Sequence, residues 1–332
     1  MSASPAPEPR SRPVEALIAA GMSPGQAARK EPLFANAERA LAAMPDRVPG
    51  SAPSDGPVAT PGAPGTAAPL HRYFVPGRVE FLGKHTDYAG GRSLVCAVEQ
   101  GICFVGRARG DSLVRVVAAG SGAQAELALR PDLPVPRGDW SAYLATVARR
   151  LARDFPGAGT GLNLAFDGDL PPAAGLSSSS ALVVGAFLAL ADANGLAGRE
   201  DFQRALAAPE QVGDYLGAVE NGRAYGAFPG DHGVGTQGGS QDQTTILCAR
   251  PGMLTQCRWV PARLERSVAF PAGYCLVIGV SGVVAEKAGA AREAYNAASR
   301  ASVELLALWR RETGRDDPTL GAAVARIGGA HA

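Results

Sequence analysis

Three stretches of the chain combine glycines with charged or hydroxyl side chains, the residue types that small-molecule chemistry requires. The first runs from Pro76 to Gly91 and presents Lys84-His85-Thr86-Asp87-Tyr88 directly after a short apolar run. Charged and hydrogen-bonding groups at a strand end suit recognition of a small polyhydroxylated ligand. A P-loop is excluded here, because five residues instead of four separate Gly77 from Gly83, and His85 stands where Ser or Thr must bind magnesium.

The second stretch, Asp169 to Ala181, is a Pro- and Gly-containing loop that leads through a run of serines into an apolar segment. Such a loop exposes backbone N–H groups at the positive end of a helix dipole, which together form an anion site suited to phosphate. The alternative is a plain helix start, in which the serine side chains cap the free N–H groups.

The third stretch, Gly235 to Thr244, is a glycine-rich approach to a single carboxylate, Asp242, and Glu220-Asn221 precedes it on a predicted helix. Glycines let the backbone come close to a ligand, and one carboxylate placed there can orient or deprotonate a hydroxyl.

Strands and helices must position these stretches. Runs rich in β-branched and aromatic residues predict strands at His71–Val75, Val79–Leu82, Leu94–Val98, Ile102–Arg107, Leu113–Ala118, Gly161–Phe166, Thr244–Cys248 and Tyr274–Val280. Helical spacing predicts helices at Trp140–Phe155, Ser177–Leu190, Arg199–Ala207, Gln211–Tyr225 and Ala285–Thr313. Because strands and helices do not alternate regularly, the pattern favours an α+β fold.

The first 70 residues differ in composition from the rest of the chain. Two short helices are predicted, at Pro13–Ala28 and Glu31–Met44, and the 21 positions from Pro49 to Pro69 hold six prolines and four glycines, a linker composition. We see no chemistry in this arm.

Composition limits the function classes. The chain has 332 residues, 46% of them apolar, and a formal net charge of +1, so no broad field is available to gather nucleic acid or an anionic membrane. No apolar run approaches eighteen residues, and the start lacks the features of a secretory signal. We expect a cytoplasmic monomer that binds neither nucleic acid nor membrane.

In combination and order, the three stretches resemble the motifs of the GHMP small-molecule kinases, and among these the galactokinase branch. The first stretch matches the pattern P-G-R-V-x-x-x-G-E-H-T-D-Y-x-G-G at Pro76, Gly77, Arg78, Val79, Gly83, His85, Thr86, Asp87, Tyr88, Gly90 and Gly91. The second is similar to the phosphate loop P-x-x-x-G-L-S-S-S-A, and the third to the G-x-x-D-Q segment.

The resemblance implies a GHMP kinase fold. Residues 1–70 would be an arm and linker, and residues 71–265 an N-terminal domain like domain 2 of ribosomal protein S5, which binds ATP and sugar. Residues 266–332 would be the beginning of a ferredoxin-like C-terminal domain. The chain ends 90 residues past Asp242 without the family's late G-A-G-F-G-G motif, so we expect an incomplete second domain and reduced activity.

The resemblance also implies the chemistry, ATP-dependent phosphorylation of a sugar at its anomeric hydroxyl, with ATP, Mg²⁺ and a small sugar as the partners. Asp242 matches the catalytic aspartate, and Arg78 matches the arginine beside it. The remaining implied roles are ATP binding by Gly175, Leu176, Ser177, Ser178 and Ser179, magnesium binding by Ser179 and Glu220, and sugar binding by Lys84, His85, Asp87, Gly239 and Tyr295.

Two positions depart from the family pattern. Lys84 replaces a glutamate that in the family contacts the sugar near its 6-hydroxyl. Two interpretations are open: the substrate is a sugar with a C6 carboxylate, such as galacturonate, which would pair with the ammonium group, or Lys84 points to solvent. About ten extra residues, around Ala227–Thr236, separate Glu220 from Asp242.

Two other functions compete with a sugar kinase. A galactokinase-like sugar sensor without turnover is disfavoured because Ser177–Ser179 and Asp242 are present. A kinase for a non-sugar alcohol is disfavoured by His85-Thr86-Asp87-Tyr88, which those branches lack.

Overall fold

One mixed sheet organises the protein. The computed structural model describes residues 13–44, 68–171, 174–279 and 290–329. Its strands are β1 (His71–Leu82), β2 (Arg92–Ala108), β3 (Leu113–Ala118), β4 (Gln124–Ala128), β5 (Leu162–Gly168), β6 (Met253–Arg258) and β7 (Arg263–Ala269). Their order is β4-β3-β5-β2-β6-β7, and β1 pairs with β2. The β3–β5 pair is parallel, whereas the other pairs are antiparallel.

The helices of the described residues lie before, between and after these strands. They are α1 (Pro13–Ala19), α2 (Pro24–Ala42), α3 (Ser141–Asp154), α4 (Ser178–Ala193), α5 (Glu200–Ala205), α6 (Pro209–Glu220), α7 (Gln241–Cys248), α8 (Ala290–Thr313) and α9 (Leu320–Gly329), with a 3₁₀ turn at Leu196–Gly198. None of them is both long and apolar enough to span a membrane.

Helices cover both faces of the sheet. Phe104 of β2 is buried in the large core formed with α3, α4 and α6. Its neighbours Cys103 and Val105 are buried in a second core, with Phe34 and Ala37 of α2. Successive side chains of a strand point to opposite faces, so a strand covered on both faces is apolar at consecutive positions.

The two N-terminal helices are confirmed, although the boundary between them falls earlier than predicted. Residues 20–23 separate α1 from α2, and Pro24 at the start of α2 supplies a backbone angle that suits a first helical turn. Helix α2 packs against the sheet, and α1 packs against α2. Most of the predicted Pro-rich linker lies outside the described residues, and the boundary at residue 70 stays a prediction.

Most predicted strands and helices are confirmed. β1 joins two predicted runs into one strand, as does β2. The predicted strand Thr244–Cys248 is wrong, because these residues belong to helix α7. The predicted strand Tyr274–Val280 is also wrong over Tyr274–Gly279, which are exposed and not in a strand, while Val280 lies outside the described residues. Residues 285–289 of the predicted C-terminal helix lie outside the described residues as well. Strands β4, β6 and β7 and helix α9 were not predicted.

Helix α4 is mostly buried, and Gly185 sets its distance from the sheet. A Cβ atom at Gly185 would lie 2.2 Å from Cε2 of Phe104, which is fully buried. The helix therefore touches the Phe104 ring with its backbone.

We expect Gly185→Ala to lower the free energy of unfolding by about 1–3 kcal/mol, because the added methyl group overpacks a dense core. Gly25→Ala is the matched control, since the space around Gly25 is open, and it should be neutral or stabilising by about 0.4–1 kcal/mol. Urea denaturation monitored by circular dichroism measures both. Equal stability of Gly185→Ala and the parent would contradict the close packing.

Candidate active site

Two glycines of α6 bring helix α7 into place. A Cβ atom at Gly213 would lie 2.5 Å from Cα of Thr244, and one at Gly217 would lie 2.5 Å from Cβ of Ser240. Gly213 and Gly217 are four residues apart and share one face of α6, so the two helix backbones can touch there. This packing overrides the strand propensity of Thr244 and Thr245 and places Asp242 in the first turn of α7.

Asp242 pairs with Arg78 of β1. Nε and Nη2 of Arg78 each lie 2.7 Å from Oδ1 of Asp242. Nη1 of Arg78 donates to the carbonyl oxygen of Gly175 at 2.7 Å, and the Arg78 backbone N–H donates to the carbonyl of Leu176 at 3.2 Å. Burial acts to lower the pKa of Arg78, but the neighbouring Asp242 carboxylate outweighs it and the pKa is raised. Arg78 therefore stays charged and joins β1, α7 and the loop before α4.

Ser177 occupies the other oxygen of the same carboxylate. Its Oγ donates to Oδ2 of Asp242 at 2.5 Å, while its backbone has a left-handed φ of 62°. Ser177 precedes α4, and its side chain makes no capping hydrogen bond, so the expected serine cap is wrong at this position. The geometry directs the hydroxyl to Asp242 instead. Ser178 and Ser179, both half-buried, form the first turn of α4.

Glu220, at the end of α6, is joined to the same cluster through Ser180 and Gln243. Ser180 Oγ lies 3.3 Å from Oε2 of Glu220 and 3.5 Å from Oδ2 of Asp242. Gln243 Nε2 donates to Oε2 of Glu220 at 2.5 Å. The inserted residues thus form a loop that still returns the chain to Glu220, since the Val234 N–H donates to the Glu220 carbonyl at 2.9 Å.

The donor set around α4 fits a hard cation. Carboxylate and hydroxyl oxygens are the ligands that magnesium prefers, and magnesium usually keeps several waters and substrate phosphates as further ligands. Among the residues the structure describes, no group of three or more His, Cys, Asp or Glu side chains is arranged to hold a metal ion.

Four of the residues predicted to contact sugar form a second group beside Asp242; they are His85, Asp87, Gly239 and Tyr295. A Cβ atom at Gly239 would lie 2.1 Å from Oδ2 of Asp87, so only glycine fits there, and the Gln241 N–H donates to Asp87 at 3.4 Å. The His85 ring lies 5.5 Å from the Tyr295 ring, centroid to centroid. Burial and then the Asp242 charge raise the pKa of Asp87, which links the two groups electrostatically.

The remaining residue predicted to contact sugar is Lys84. Its side chain is exposed and makes no hydrogen bond or ion pair with another residue that the structure describes. The adjacent His85 has a left-handed φ of 60°.

Sequence reasoning did not assign a role to two asparagines that shape the glycine-rich segment. Asn221 accepts from the Gly238 N–H at 2.7 Å and donates to the Gly239 carbonyl at 3.1 Å. Asn296 of α8 accepts from the Gln237 N–H at 2.9 Å, next to Tyr295. The position of Asn221 directly after Glu220 could have indicated its role. No sequence pattern indicates a role for Asn296, because its partner Gln237 is 59 residues away.

Two family models match the chain. The galactokinase galactose-binding signature matches residues 64–108, and the N-terminal domain of GHMP kinases matches residues 142–219. The solved structure of Lactococcus lactis galactokinase complexed with galactose has a similar fold, with a TM-score of 0.55 and 22% identity over 76% of this chain and 59% of that one. The α+β fold is that of the GHMP kinases.

Two relatives with a known name are similar to part of this chain. A Haemophilus influenzae (strain PittEE) galactokinase is 35% identical over 111 residues, which is 33% of this chain and 29% of that protein. An Actinobacillus succinogenes galactokinase is 35% identical over 118 residues, which is 35% of this chain and 31% of that protein. The matches thus span about three tenths of the length of these relatives. Together with the signature match, they show that part of this chain is similar in sequence to galactokinases.

We expect Asp87→Asn to raise the thermal stability at neutral pH. Because the pKa of Asp87 is raised in the folded protein, the parent loses stability relative to the variant as the pH rises through that pKa. Below the ordinary carboxyl pKa of about 3.9 both side chains are neutral and the difference vanishes. Melting temperatures measured between pH 4 and pH 8 test this.

Asp111→Asn is a control with the opposite sign. A hydrogen bond from Arg109 lowers the pKa of Asp111, so the parent should be the more stable protein at neutral pH and should lose that advantage on acidification. A gap between Asp87→Asn and the parent that does not change with pH would contradict the burial of a charged Asp87.

Proposed function

We propose that the protein binds ATP and a galactose-type sugar and transfers the γ-phosphoryl group to the anomeric hydroxyl of the sugar. The observation that carries the proposal is the Asp242 carboxylate, which is bonded to Arg78 and Ser177 at the start of helix α4. The galactose-binding signature and the galactokinase relatives support the choice of sugar.

The nucleotide phosphates would lie on the segment from Gly175 to Ser179. Backbone N–H groups at a helix N terminus attract phosphate, and the Ser177 side chain does not occupy them because it is bonded to Asp242. Ser179 and Glu220 would hold magnesium, which when bound neutralises charge on the phosphate oxygens.

Asp242 would orient the acceptor hydroxyl and take its proton. The bond between the sugar oxygen and the γ-phosphorus forms, the bond from that phosphorus to the bridging oxygen of ADP breaks, and the proton passes through Asp242 to solvent. Arg78 would pair with the carboxylate and stabilise charge on the phosphoryl group in transit. Because such transition states are loose, most of the rate gain comes from positioning and electrostatics.

Asp87, His85, Gly239 and Tyr295 would bind the sugar. A carboxylate accepts hydrogen bonds from sugar hydroxyls, and the absence of a side chain at Gly239 leaves room for Asp87 to reach the ligand. The aromatic ring of Tyr295 offers an apolar face to the sugar ring.

We expect Asp242→Asn to lower kcat for galactose by about 10²–10⁴-fold, because the amide cannot accept the proton. ADP release is measured with the parent and the variant in the presence of Mg²⁺ and galactose. Asp201→Asn is the matched control, since Asp201 forms a similar pair with Arg199, at 2.6 Å, on α5, and it should leave turnover unchanged.

The outcomes separate the competing functions. Galactose binding without ADP release by the parent would favour a sugar sensor and contradict the kinase proposal. Retention of full turnover in Asp242→Asn would remove Asp242 from the mechanism.

A second candidate substrate is a uronate such as galacturonate. The exposed Lys84 ammonium has no carboxylate partner among the described residues and would pair with a C6 carboxylate. For this candidate we expect the parent to favour galacturonate over galactose in kcat/KM, and Lys84→Glu to reverse the preference by about tenfold. Competing-substrate assays measure the ratio, and an undiminished preference of the parent for galactose would end the uronate candidate.

A further inference from the structure

Helix α2, which lies outside both family matches, contains a lysine that is completely buried. The Lys30 side chain is 0% exposed, and its Nζ pairs with Oδ2 of Asp169. Nζ also lies 5.7 Å from the centroid of the Phe74 ring. A buried ammonium is costly unless it is paired, so Lys30 and Asp169 hold each other in one geometry.

Asp169 is the first residue of the segment that leads from β5 to α4. Its Oδ1 accepts from the Gly101 N–H at 2.8 Å, and its own N–H donates to the Gly101 carbonyl at 3.1 Å. Helix α2 makes a further contact nearby, because Asn36 donates to Oδ2 of Asp167 at 2.7 Å. Helix α2 therefore holds the end of β5 at two residues.

The next residue, Leu170, continues the connection to the candidate active site. A Cβ atom at Gly77 would lie 2.5 Å from Cδ2 of Leu170 and 2.9 Å from the carbonyl oxygen of Leu176. Gly77 directly precedes Arg78, whose guanidinium binds Asp242. A shift of Asp169 would therefore press on Gly77, the strand residue before Arg78, and on Leu176, the residue before Ser177.

We propose that Lys30 is a positioning residue for the phosphate segment, acting through Asp169 at the segment's entrance. The ammonium fixes one carboxylate oxygen while Gly101 fixes the other, so the chain leaves β5 in a single direction toward Gly77 and Leu176. The catalytic consequence rests on the proposed kinase function. The structural consequence, a segment held in place by α2, does not.

The test compares Lys30→Met and Asp169→Asn with Arg72→Met in hydrogen–deuterium exchange without any ligand. Arg72 is the matched control, because its Nε pairs with Glu38 of α2 at 2.7 Å and links α2 to β1 through a half-exposed pair. We expect amide exchange in residues 169–171 and 174–181 to rise at least fivefold in Lys30→Met and Asp169→Asn, and to stay at the parent level in Arg72→Met.

Kinetics supply the second readout. If the parent is an active kinase, Lys30→Met and Asp169→Asn should raise KM for ATP several-fold more than KM for the sugar, and the double variant should be no worse than the worse single one. Asp169→Asn keeps an acceptor oxygen for Gly101, so it carries the test if Lys30→Met fails to fold.

Three results would overturn the inference. The first is amide exchange that rises uniformly along the chain in the pair variants. The second is exchange in residues 169–171 and 174–181 that is no faster in the pair variants than in Arg72→Met. The third is failure of both pair variants to fold, which would assign the pair to global stability alone. An inactive parent would contradict the proposed function, but the role of Lys30 would stand if exchange in the segment still rises in the pair variants. An active parent whose pair variants show no such rise would contradict only the role of Lys30.

Discussion

The ion pair between Arg78 and Asp242 is the constraint on which the site depends. A half-buried carboxylate is costly unless it is paired, and a single guanidinium pairs with Asp242 while it also binds the carbonyl of Gly175. The Arg78 side chain of β1 must therefore reach both helix α7 and the loop before α4. The fold meets this requirement with a sheet that places β1 beside β2 and with helix α4 packed directly on Phe104.

Small residues make the convergence possible where side chains would prevent it. Gly213 and Gly217 allow α6 and α7 to touch, and Gly239 leaves space for Asp87. Polar contacts then fix what the close packing permits, with Asn221 holding the segment before α7 and Gln243 joining it to Glu220. The result is a polar network in which Ser180 joins Glu220 to Asp242, and the neighbouring Gln241 N–H donates to Asp87.

Much of this site could be predicted from residue types and their order, because the motif residues carry their chemistry in local sequence. Long-range packing could not be predicted in this way. Thr244 and Thr245 have the composition of a strand, and only contact with α6 makes them helical. The bond from Ser177 to Asp242 spans 65 positions, and no local pattern distinguishes it from a helix cap. Nor does local sequence show that α2 covers the second face of the sheet, since the partner of α2 is distant in the sequence.

The most direct measurement is a crystal structure of the protein with galactose, magnesium and a non-hydrolysable ATP analogue. We expect the terminal phosphate to lie at the N terminus of α4 and the anomeric hydroxyl to lie within hydrogen-bond distance of Asp242, with Arg78 between the carboxylate and the phosphate. A nucleotide bound elsewhere, or a sugar whose hydroxyls lie too far from Asp242 to share a hydrogen bond with it, would contradict the proposed function.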